Sequence, residues 1–467
     1  MKHIIAGLIL TFIFNASATA RTLNFNEVLD QAIRNSYDLQ ISEIDIGISK
    51  AGIKEARSEY FPSINLGFNS GYERDISDGD NTITPVGDSI LLNSTRYQNS
   101  ASVGLQYNLF DFGITGKKVQ IAKKDKTQKK THYSINMRDL KLELADIYSR
   151  ALLNSREYHT NKKLLDLNTE LFTMQERLYE AGKNPKTDVI EQALKVARIN
   201  NKIDELRNEF LKTLEDLSFY TGEVYKPEAI RLEYIEEPGI EQVNLEKTDI
   251  EKPDLTDKQI TKLEIEAVKT DILDAENLPE YKYYQLEIEK KQAELSILNR
   301  QRLPHFKFYT NYYLYGTDRH DYWGTFGDIE DTNLSFRVSA TLPVFTGFKN
   351  TAQRDRTKLE IQKLKIERDK RVEEIKSFYQ KMYQQARNFD TAMSNQEESM
   401  ELVQDKITML ERMSRQKLID KISYLSQKAD LISQKLELER TRINNEANVY
   451  KLKILKQTAG EELCKQD

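Results

Sequence analysis

Residues 103–116 read VGLQYNLFDFGITG and join two different periodicities. Apolar side chains occupy every second position from Val103 to Leu109 and alternate there with small or polar residues, which is typical of a β-strand with two unlike faces. Residues 114–181 contain no proline and only one glycine, so they predict an uninterrupted helix. The basic unit of the fold is therefore a strand that leads through one turn into a very long helix.

A second copy of this unit follows in the same chain. Residues 108–113 match residues 343–348 at an offset of 235, and residues 59–62 match residues 301–304 at an offset of 242. We therefore predict two structural repeats, each running helix, strand, loop, strand, very long helix, turn and helix. The predicted boundaries are 21–222 for the first repeat, 223–278 for an irregular equatorial or linker segment, 279–460 for the second repeat and 461–467 for a C-terminal tail.

Each element within the repeats has approximate predicted bounds. The strands are expected at about 61–74, 98–110, 304–316 and 333–345, the long helices at about 114–181 and 349–416, and the helix-to-helix tips at 181–188 and 416–423. Shorter helices are expected at 26–60, 187–220, 280–302 and 421–458. Apolar residues recur every three or four positions in the long helices, as at Val372, Ile375 and Tyr379, which predicts coiled-coil pairing. A long helix would extend ~100 Å, about as far as two short helices placed end to end.

Composition limits the classes of protein to which the chain can belong. Of its 467 residues 39% are apolar and 31% are charged, with a mean hydropathy of -0.65, which excludes a membrane protein made of many apolar helices. The formal net charge of -5 gives no indication of nucleic-acid binding, and the single cysteine, Cys464, cannot form an intramolecular disulfide. Residues 1–20 combine a basic start, an apolar segment and the sequence Ala18-Thr19-Ala20, which predicts a cleaved signal peptide for export.

The alternating strands are compatible with two settings. One is a water-soluble sheet packed on one face, and the other is a set of transmembrane strands with one lipid-facing and one water-facing side. Tyrosines near the strand ends, together with Trp323, would suit an aromatic belt at the surface of a membrane. In the transmembrane setting the lipid-facing residues are Leu66, Phe68, Val103, Leu105, Phe306, Phe308, Phe336 and Val338.

Transmembrane strands would also constrain the assembly of the protein. Open sheet edges are not tolerated in lipid, and membrane barrels contain about eight strands or more. Two chains of four strands would give a barrel with a filled interior, whereas three chains would leave room for a wet channel. If the strands enter a membrane, the chain must oligomerise. Three copies are then the smallest assembly that would form a channel, since a barrel of two copies would have a filled interior.

Taken together, these features resemble the TolC family of outer-membrane efflux and secretion ducts. The resemblance rests on Glu59-Tyr60-Phe61-Pro62, on residues 108–113 and their partner 343–348, and on the tip at residues 177–189. It covers nearly all of the chain after residue 20. It implies a mostly α-helical α+β membrane protein in which four transmembrane β-strands per protomer form a trimeric, twelve-stranded β-barrel. The barrel would continue into a long α-helical coiled-coil tunnel in the periplasm.

The same resemblance implies a function, a location and partners. The protein would be a passive outer-membrane channel of a tripartite efflux pump or of a type I secretion system, and it would catalyse no reaction. Its partners would be two further copies of itself, a periplasmic adaptor (membrane fusion) protein, an inner-membrane pump of RND, ABC or MFS type, and outer-membrane lipids. Neither a nucleic acid nor a cofactor is expected. The alternative is an exported, soluble coiled-coil scaffold without channel activity.

The two tips are the adaptor-docking sites that the resemblance implies. From the residues themselves, Gly182 is expected to end the first long helix and Pro185 to fit the start of the next one, which Thr187 or Asp188 would cap. The docking residues are Gly182, Lys183, Asn184, Pro185, Thr187 and Asp188 in the first tip, and Lys417, Leu418, Ile419 and Asp420 in the second.

A periplasmic gate is the second site that the resemblance implies, with Asp188, Asp420, Ser423 and Ser426 as candidates. Family members with an acidic constriction would have carboxylates at the positions of Ser423 and Ser426, and neither residue is acidic here. Asp420 could supply a displaced ring of charge. The alternative is that Asp420 is a solvated surface residue.

Basic clusters follow both strand-to-helix turns, within residues 117–130 and 349–358. Cations near a helix N-terminus oppose the helix dipole, so local helix stability does not explain these clusters. Either they lie on a solvated face and are balanced by other charges, or they contact anionic lipid headgroups just beneath the barrel.

Enzymatic chemistry finds little support in the sequence. No nucleotide-binding, hydrolase or metalloprotease motif occurs, so no catalytic or cofactor-binding residue is predicted. Asp318, His320 and Asp321 combine metal-binding residue types in one loop, but ordinary polar loop composition explains them, and no metal site is predicted.

Overall fold

A computed structural model of the chain describes residues 21–73, 84–86, 89–91, 96–235, 275–318, 321–327, 329, 331–416 and 419–460. The expected signal peptide at residues 1–20 and Cys464 lie outside these described residues. The strands are β1 (Arg21–Leu23), β2 (Ser63–Glu73), β3 (Thr84–Val86), β4 (Ser89–Leu91), β5 (Arg96–Phe110), β6 (Ile230–Leu232), β7 (His305–Asp318) and β8 (Asp331–Thr341).

Helices make up most of the described chain. They are α1 (Phe25–Asn35), α2 (Tyr37–Ser58), α3 (Ile114–Glu180), α4 (Lys186–Thr221), α5 (Pro279–Arg300), α6 (Gly324–Gly327), α7 (Lys349–Arg415) and α8 (Lys421–Gly460), with short 3₁₀ turns at Pro227–Ala229 and Ala275–Asn277. Helices α3 and α7 each contain 67 residues. The predicted mostly helical α+β class is therefore confirmed. No described helix has an apolar segment long enough to cross a lipid bilayer.

The described residues group into two compact units. The sheet unit takes its residues from 42–132 and 280–371, and the helical unit takes its residues from 1–41, 133–279 and 372–467. Each unit therefore combines segments from both predicted repeats.

Four strands form the antiparallel sheet of the sheet unit, in the order β2-β5-β7-β8. The register aligns Leu66 with Val103, Val103 with Tyr312, and Tyr312 with Leu334. Because side chains alternate across a sheet, these four residues lie on one face. A register shift between Asn108 and Phe110 marks a β-bulge near the end of β5.

The turn that follows β5 is fixed by one carboxylate. Asp111 Oδ1 accepts from the backbone N–H of Gly113 at 2.9 Å, and Asp111 Oδ2 accepts from the backbone N–H of Thr115 at 2.6 Å. Phe112 and Gly113 both have positive φ, at 54° and 80°. The carboxylate satisfies backbone donors that the first turn of α3 leaves free, so the strand leads directly into the helix.

The core of the helical unit surrounds Tyr148, whose side chain is fully buried. Phe25 contacts the rings of Tyr148 and Tyr450 edge to face, at centroid distances of 5.2 and 4.9 Å. The Tyr148 hydroxyl lies 2.8 Å from the carbonyl oxygens of both Leu23 and Glu233. Leu23 ends β1, and Glu233 directly follows β6, so this hydroxyl holds the two strands against the helices.

The structure differs from the sequence predictions in two places. The helix expected over residues 26–60 is two helices, because Ser36 ends α1 with an extended backbone, and its hydroxyl accepts from the backbone N–H of Leu39 at 3.3 Å. The segment expected to be irregular over residues 223–278 contains β6, which pairs in parallel with β1. A three-residue strand that pairs with a distant segment leaves no local periodicity for sequence reasoning to detect.

Candidate functional site

The first tip, between α3 and α4, ends α3 in the way the sequence predicts. Gly182 has a φ of 69°, in the left-handed region. The backbone N–H of Lys183 donates to the Leu178 carbonyl at 2.8 Å, and that of Gly182 donates to the Tyr179 carbonyl at 2.9 Å. This pair of bonds is the Schellman motif, in which glycine is the favoured left-handed residue. Asn184, which is half-buried, follows in the turn before Pro185.

The start of α4 differs from the expectation. Pro185 occupies the N-cap position with an extended backbone, and no side-chain bond caps the helix there. Thr187 and Asp188 lie inside the first turn, where the Thr187 hydroxyl is 3.3 Å from Asp188 Oδ1. The prediction that Thr187 or Asp188 caps α4 is therefore wrong, because Lys186 already begins the helix. Asp188 is half-buried in the first turn of α4, where a negative charge suits the helix dipole.

The second tip, between α7 and α8, is described only in part, because Lys417 and Leu418 lie outside the described residues. Asp420 precedes α8 and caps it. Its Oδ1 accepts from the backbone N–H of Ser423 at 2.8 Å, and its Oδ2 accepts from the Ser423 hydroxyl at 2.6 Å. These two bonds lower the pKa of the Asp420 carboxyl below its usual value. Ile419 is half-buried beside this exposed carboxylate.

The four gate candidates occupy different environments. Asp420 is exposed, whereas Asp188, Ser423 and Ser426 are half-buried. Among these four residues, hydrogen bonds join Asp420 to Ser423. The start of α8 is also tied to α3, since Lys421 Nζ lies 2.7 Å from Glu170 Oε1. The return helix of the second tip therefore starts alongside the α3 turn around Glu170, whereas α3 itself continues to Glu180.

A buried polar pair between α3 and α4 was not predicted from the sequence. The Gln192 side-chain amide donates to the Asn168 backbone carbonyl at 2.9 Å and to Asn168 Oδ1 at 3.1 Å. Asn168 in turn donates to the Leu164 carbonyl at 2.7 Å. A polar pair within an apolar seam fixes the register of paired helices. The one feature of the sequence that could have indicated this pair is an asparagine four residues after Leu164, within a seam otherwise expected to be apolar.

The predicted lipid-facing residues share one face of the sheet. In the single chain Leu66 is 82% exposed and Phe336 is 69% exposed, and Phe68, Val103 and Val338 are exposed as well. Leu105, Phe306 and Phe308 on the same face are half-buried. We call this the apolar face, and it consists of Ile64, Leu66, Phe68, Ala101, Val103, Leu105, Tyr107, Phe306, Phe308, Tyr312, Leu314, Leu334, Phe336, Val338 and Ala340. The polar side chain of Thr310 lies among them, in register with Leu105 and Phe336.

The opposite face of the sheet is polar. One row across it aligns Asn65, Gly104, Asn311 and Ser335. Arg337, Tyr309 and Gln106 form another such row. The sheet thus has one predominantly apolar side and one predominantly polar side, and the polar side also carries the rings of Tyr309, Tyr313 and Tyr315.

Three lysines of the basic cluster after β5 form ion pairs with carboxylates elsewhere in the sheet unit. Lys118 pairs with Glu59 at 2.6 Å, Lys129 pairs with Asp45 at 2.8 Å, and Lys124 pairs with Glu289. The two alternatives were lipid headgroups or balance by other charges. For Lys118, Lys124 and Lys129 the structure favours charge balance, because each has a carboxylate partner.

The loop with metal-binding residue types is organised by hydrogen bonds. The backbone N–H of Asp321 donates to Asp318 Oδ1 at 3.0 Å, and His320 lies outside the described residues. Among the residues that the structure covers, no group of three or more His, Cys, Asp or Glu side chains is placed to hold a metal ion.

Comparison with known proteins gives one family and a set of similar folds. Residues 28–223 match the family model "Outer membrane efflux protein". The solved structure of the Campylobacter jejuni CmeC outer membrane channel matches with a TM-score of 0.72 at 12% identity, over 95% of this chain and 87% of that chain. The Vibrio cholerae outer membrane protein VceC matches with a TM-score of 0.68 at 12% identity, over 93% of this chain and 96% of that chain.

A third solved structure, the open state of the Neisseria gonorrhoeae MtrE outer membrane channel, matches with a TM-score of 0.63 at 14% identity, over 92% of this chain and 88% of that chain. No curated protein matches the chain by sequence. The resemblance read from the sequence is confirmed by the family match and by these folds.

Proposed function

We propose, on the premise that residues 28–223 belong to the outer membrane efflux protein family, that the protein is the outer-membrane channel of a tripartite efflux pump or of a type I secretion system. It is a passive duct in the outer membrane, and its helical part extends into the periplasm. The duct catalyses no reaction, and its direction of transport comes from the pump to which it is coupled.

The main support for this proposal is the four-stranded sheet, which has one apolar face and one polar face. An apolar face as exposed as that around Leu66 and Phe336 is unfavourable in water but suits the hydrocarbon core of a membrane. The opposite face, with its rows of asparagine, serine and arginine, suits the water-filled interior of a channel.

The assembly follows from the edges of that sheet. In the described chain β2 and β8 are the outer strands, and each has a strand partner on one side only. Unpaired backbone groups are costly in lipid, so each edge must pair with another chain. Three chains, with β2 of one chain beside β8 of the next, would close a barrel of about twelve strands with room for water. The functional unit is therefore a homotrimer surrounded by outer-membrane lipids.

The tips are the contact sites for a periplasmic adaptor protein. In the first tip, Gly182, Lys183 and Thr187 are exposed at a turn that the Schellman motif holds in one conformation. In the second tip, Asp420 is exposed and held by its bonds to Ser423. An adaptor docked there would connect the duct to an inner-membrane pump of RND, ABC or MFS type. The same region would contain the gate, with Asp188 and Asp420 as its charged residues.

Membrane fractionation combined with conductance tests the proposal. The protein should sediment with the outer membrane, require detergent for extraction, and run as a heat-sensitive oligomer on gels. Purified protein added to a planar bilayer should produce discrete ion currents. The alternative, a soluble coiled-coil scaffold, would be found in the periplasm without detergent and would pass no current, and that result would overturn the proposal.

Crosslinking at the first tip tests the adaptor contact separately. Lys183→Cys in a Cys464→Ser background should form a crosslink with a periplasmic protein in whole cells. Lys202→Cys on α4 is the matched control, because Lys202 is also an exposed lysine but lies far along the helix from the tip. Equal crosslinking from both positions would contradict docking at the tip.

A further inference from the structure

The connection between β7 and β8 folds back onto the apolar face of the sheet. The Tyr322 hydroxyl lies 3.0 Å from the Ser70 hydroxyl of β2, and the rings of Phe326 and Phe68 stack at 6.3 Å between centroids. The side-chain amide of Asn99 on β5 donates to the hydroxyl of Thr325. Asn99 is only 4% exposed and Thr325 is 1% exposed, so a buried polar contact holds the connection against the sheet.

Bonds within the connection fix its own shape. The backbone N–H of Trp323 donates to Asp321 Oδ1 at 3.0 Å, and the Thr325 hydroxyl donates to the Tyr322 carbonyl at 2.6 Å. The backbone N–H of Phe326 donates to the Trp323 carbonyl at 3.1 Å. The turn at residues 321–327, which we call the aromatic turn, therefore presents its side chains in defined directions.

Large apolar side chains of the aromatic turn are exposed on the surface of the single chain. Trp323 is 74% exposed, and Phe326 is also exposed. Tyr322 contacts the rings of both Trp323 and Tyr97, at centroid distances of 5.4 and 6.0 Å. Tyr97 contacts Tyr72 at 4.9 Å. A row of rings thus crosses the sheet from β2 to the aromatic turn, and its outermost member is the exposed indole.

This row lies at one end of the apolar face. Tyr97 and Tyr107 stand on the same face of β5, ten residues apart. That separation corresponds to ~33 Å along the strand. With a strand tilt of about 40°, it corresponds to ~25 Å across the membrane, the height of the apolar band in outer-membrane barrels. The Tyr97 row and the aromatic turn therefore mark the boundary of the apolar band that is remote from the helix-bearing strand ends.

We propose that the aromatic turn is a membrane-interface anchor, in which Trp323 and Phe326 lie in the interfacial layer of the lipid around the barrel. The occupant of this surface is the polar–apolar boundary of the outer leaflet, where indole rings are favoured because one edge is polar and the remainder is apolar. This inference rests on the proposed function. It directs residues 321–327 toward lipid, so that the aromatic turn does not cross the mouth of the duct.

The composition of the chain provides a direct test, because Trp323 is its only tryptophan. The full-length purified oligomer is reconstituted into phosphatidylcholine vesicles with bromine placed either near the headgroup end or near the terminal end of the acyl chains. Trp323 should lose most of its fluorescence in the headgroup-end brominated vesicles and less in the terminal-end vesicles. It should also be poorly accessible to iodide, a quencher dissolved in water.

Two control variants separate this inference from the proposed function. Trp323→Phe combined with Leu334→Trp places the single indole on the apolar face, in register with Val103 near the middle of the band. This indole should be quenched most by bromine near the terminal end. Trp323→Phe combined with Tyr313→Trp places the single indole on the polar face, where iodide alone should quench it. If the Leu334→Trp variant is quenched by brominated lipid but Trp323 is not, the proposed anchor is contradicted and the proposed channel is not. If neither indole is quenched by lipid, the membrane location itself is wrong.

Discussion

At the scale of single residues, the tips show what local sequence can and cannot predict. Gly182 could be predicted as the end of α3 because a left-handed residue is needed there and glycine takes that conformation readily. The start of α4 could not be placed, because Pro185, Thr187 and Asp188 are all acceptable near a helix N-terminus and only one occupies the N-cap. Asp420, considered from the sequence as a gate or a surface charge, also proves to be a helix cap.

Replacing the Asp420 cap should loosen the start of α8. Asp420→Ala removes the acceptor of the Ser423 N–H bond, and loss of such a cap costs about 1 kcal/mol. Backbone amides in the first turn of α8 should then exchange with deuterium roughly fivefold faster, as measured by mass spectrometry. Asp430→Ala, an exposed substitution inside the same helix, is the control. Equal effects of the two variants would rule out a capping role.

The same cap predicts a pH dependence with a definite sign. Because the pKa of Asp420 is lowered in the folded chain, its contribution to stability is complete above the ordinary aspartate pKa and is lost as the pH falls through the lowered value. Protection of the first turn of α8, corrected for intrinsic exchange, should stay constant between neutral pH and about pH 5, and should decrease only below about pH 4. A loss of protection near neutral pH that depends on Asp420 would contradict this.

Tyr148 permits a test within the helical core. Tyr148→Phe keeps the ring and its contact with Phe25, but it removes the hydroxyl that lies 2.8 Å from the carbonyls of Leu23 and Glu233. Loss of this buried hydrogen bond should destabilise the β1–β6 pair by about 1–2 kcal/mol. The measurement is faster hydrogen exchange in β1 and β6. Tyr37→Phe, at an exposed tyrosine, should have no effect.

At the scale of elements, the long helices and the strands could be predicted because their periodicities are local. Residues 114–181 contain no proline and only one glycine, Gly116 near the start, and the helix observed is Ile114–Glu180. Two features could not be predicted in this way. The break at Ser36 depends on a side-chain bond to the next helix, and the β1–β6 pair joins segments about two hundred residues apart. In both cases the deciding contact carries no periodic signal.

Two glycines in different elements should respond oppositely to alanine. Gly182→Ala forces a side chain into the left-handed region and should destabilise the first tip by about 1 kcal/mol. Gly47→Ala lies inside α2, where no atom is within 4 Å of the added carbon, and it should stabilise that helix by about 0.5–1 kcal/mol. Local hydrogen exchange should therefore rise around residue 182 and fall around residue 47. A change in the same direction at both sites would contradict the backbone argument.

At the scale of the whole molecule, the sheet of a single chain has too few strands to form a closed barrel in lipid. This sheet has an apolar face, a polar face and two outer strands, and a barrel in lipid needs about eight strands or more. The division into unlike faces could be predicted from the alternation of residue types along each strand. The cross-strand register and the placement of the aromatic turn on the apolar face could not, because they depend on contacts such as Asn99 with Thr325, which are distant in sequence.

The number of chains in the purified protein distinguishes a barrel shared between chains from an isolated sheet. Native mass spectrometry of the detergent-solubilised protein should give a single species. Its mass should be three times that of the single chain measured after denaturing the same sample, because three sheets together close a barrel wide enough for water. The same species should persist at low protein concentration, since separating the chains would expose sheet edges to detergent. A correctly folded protein that remains a single chain would contradict the proposal that three chains close one barrel.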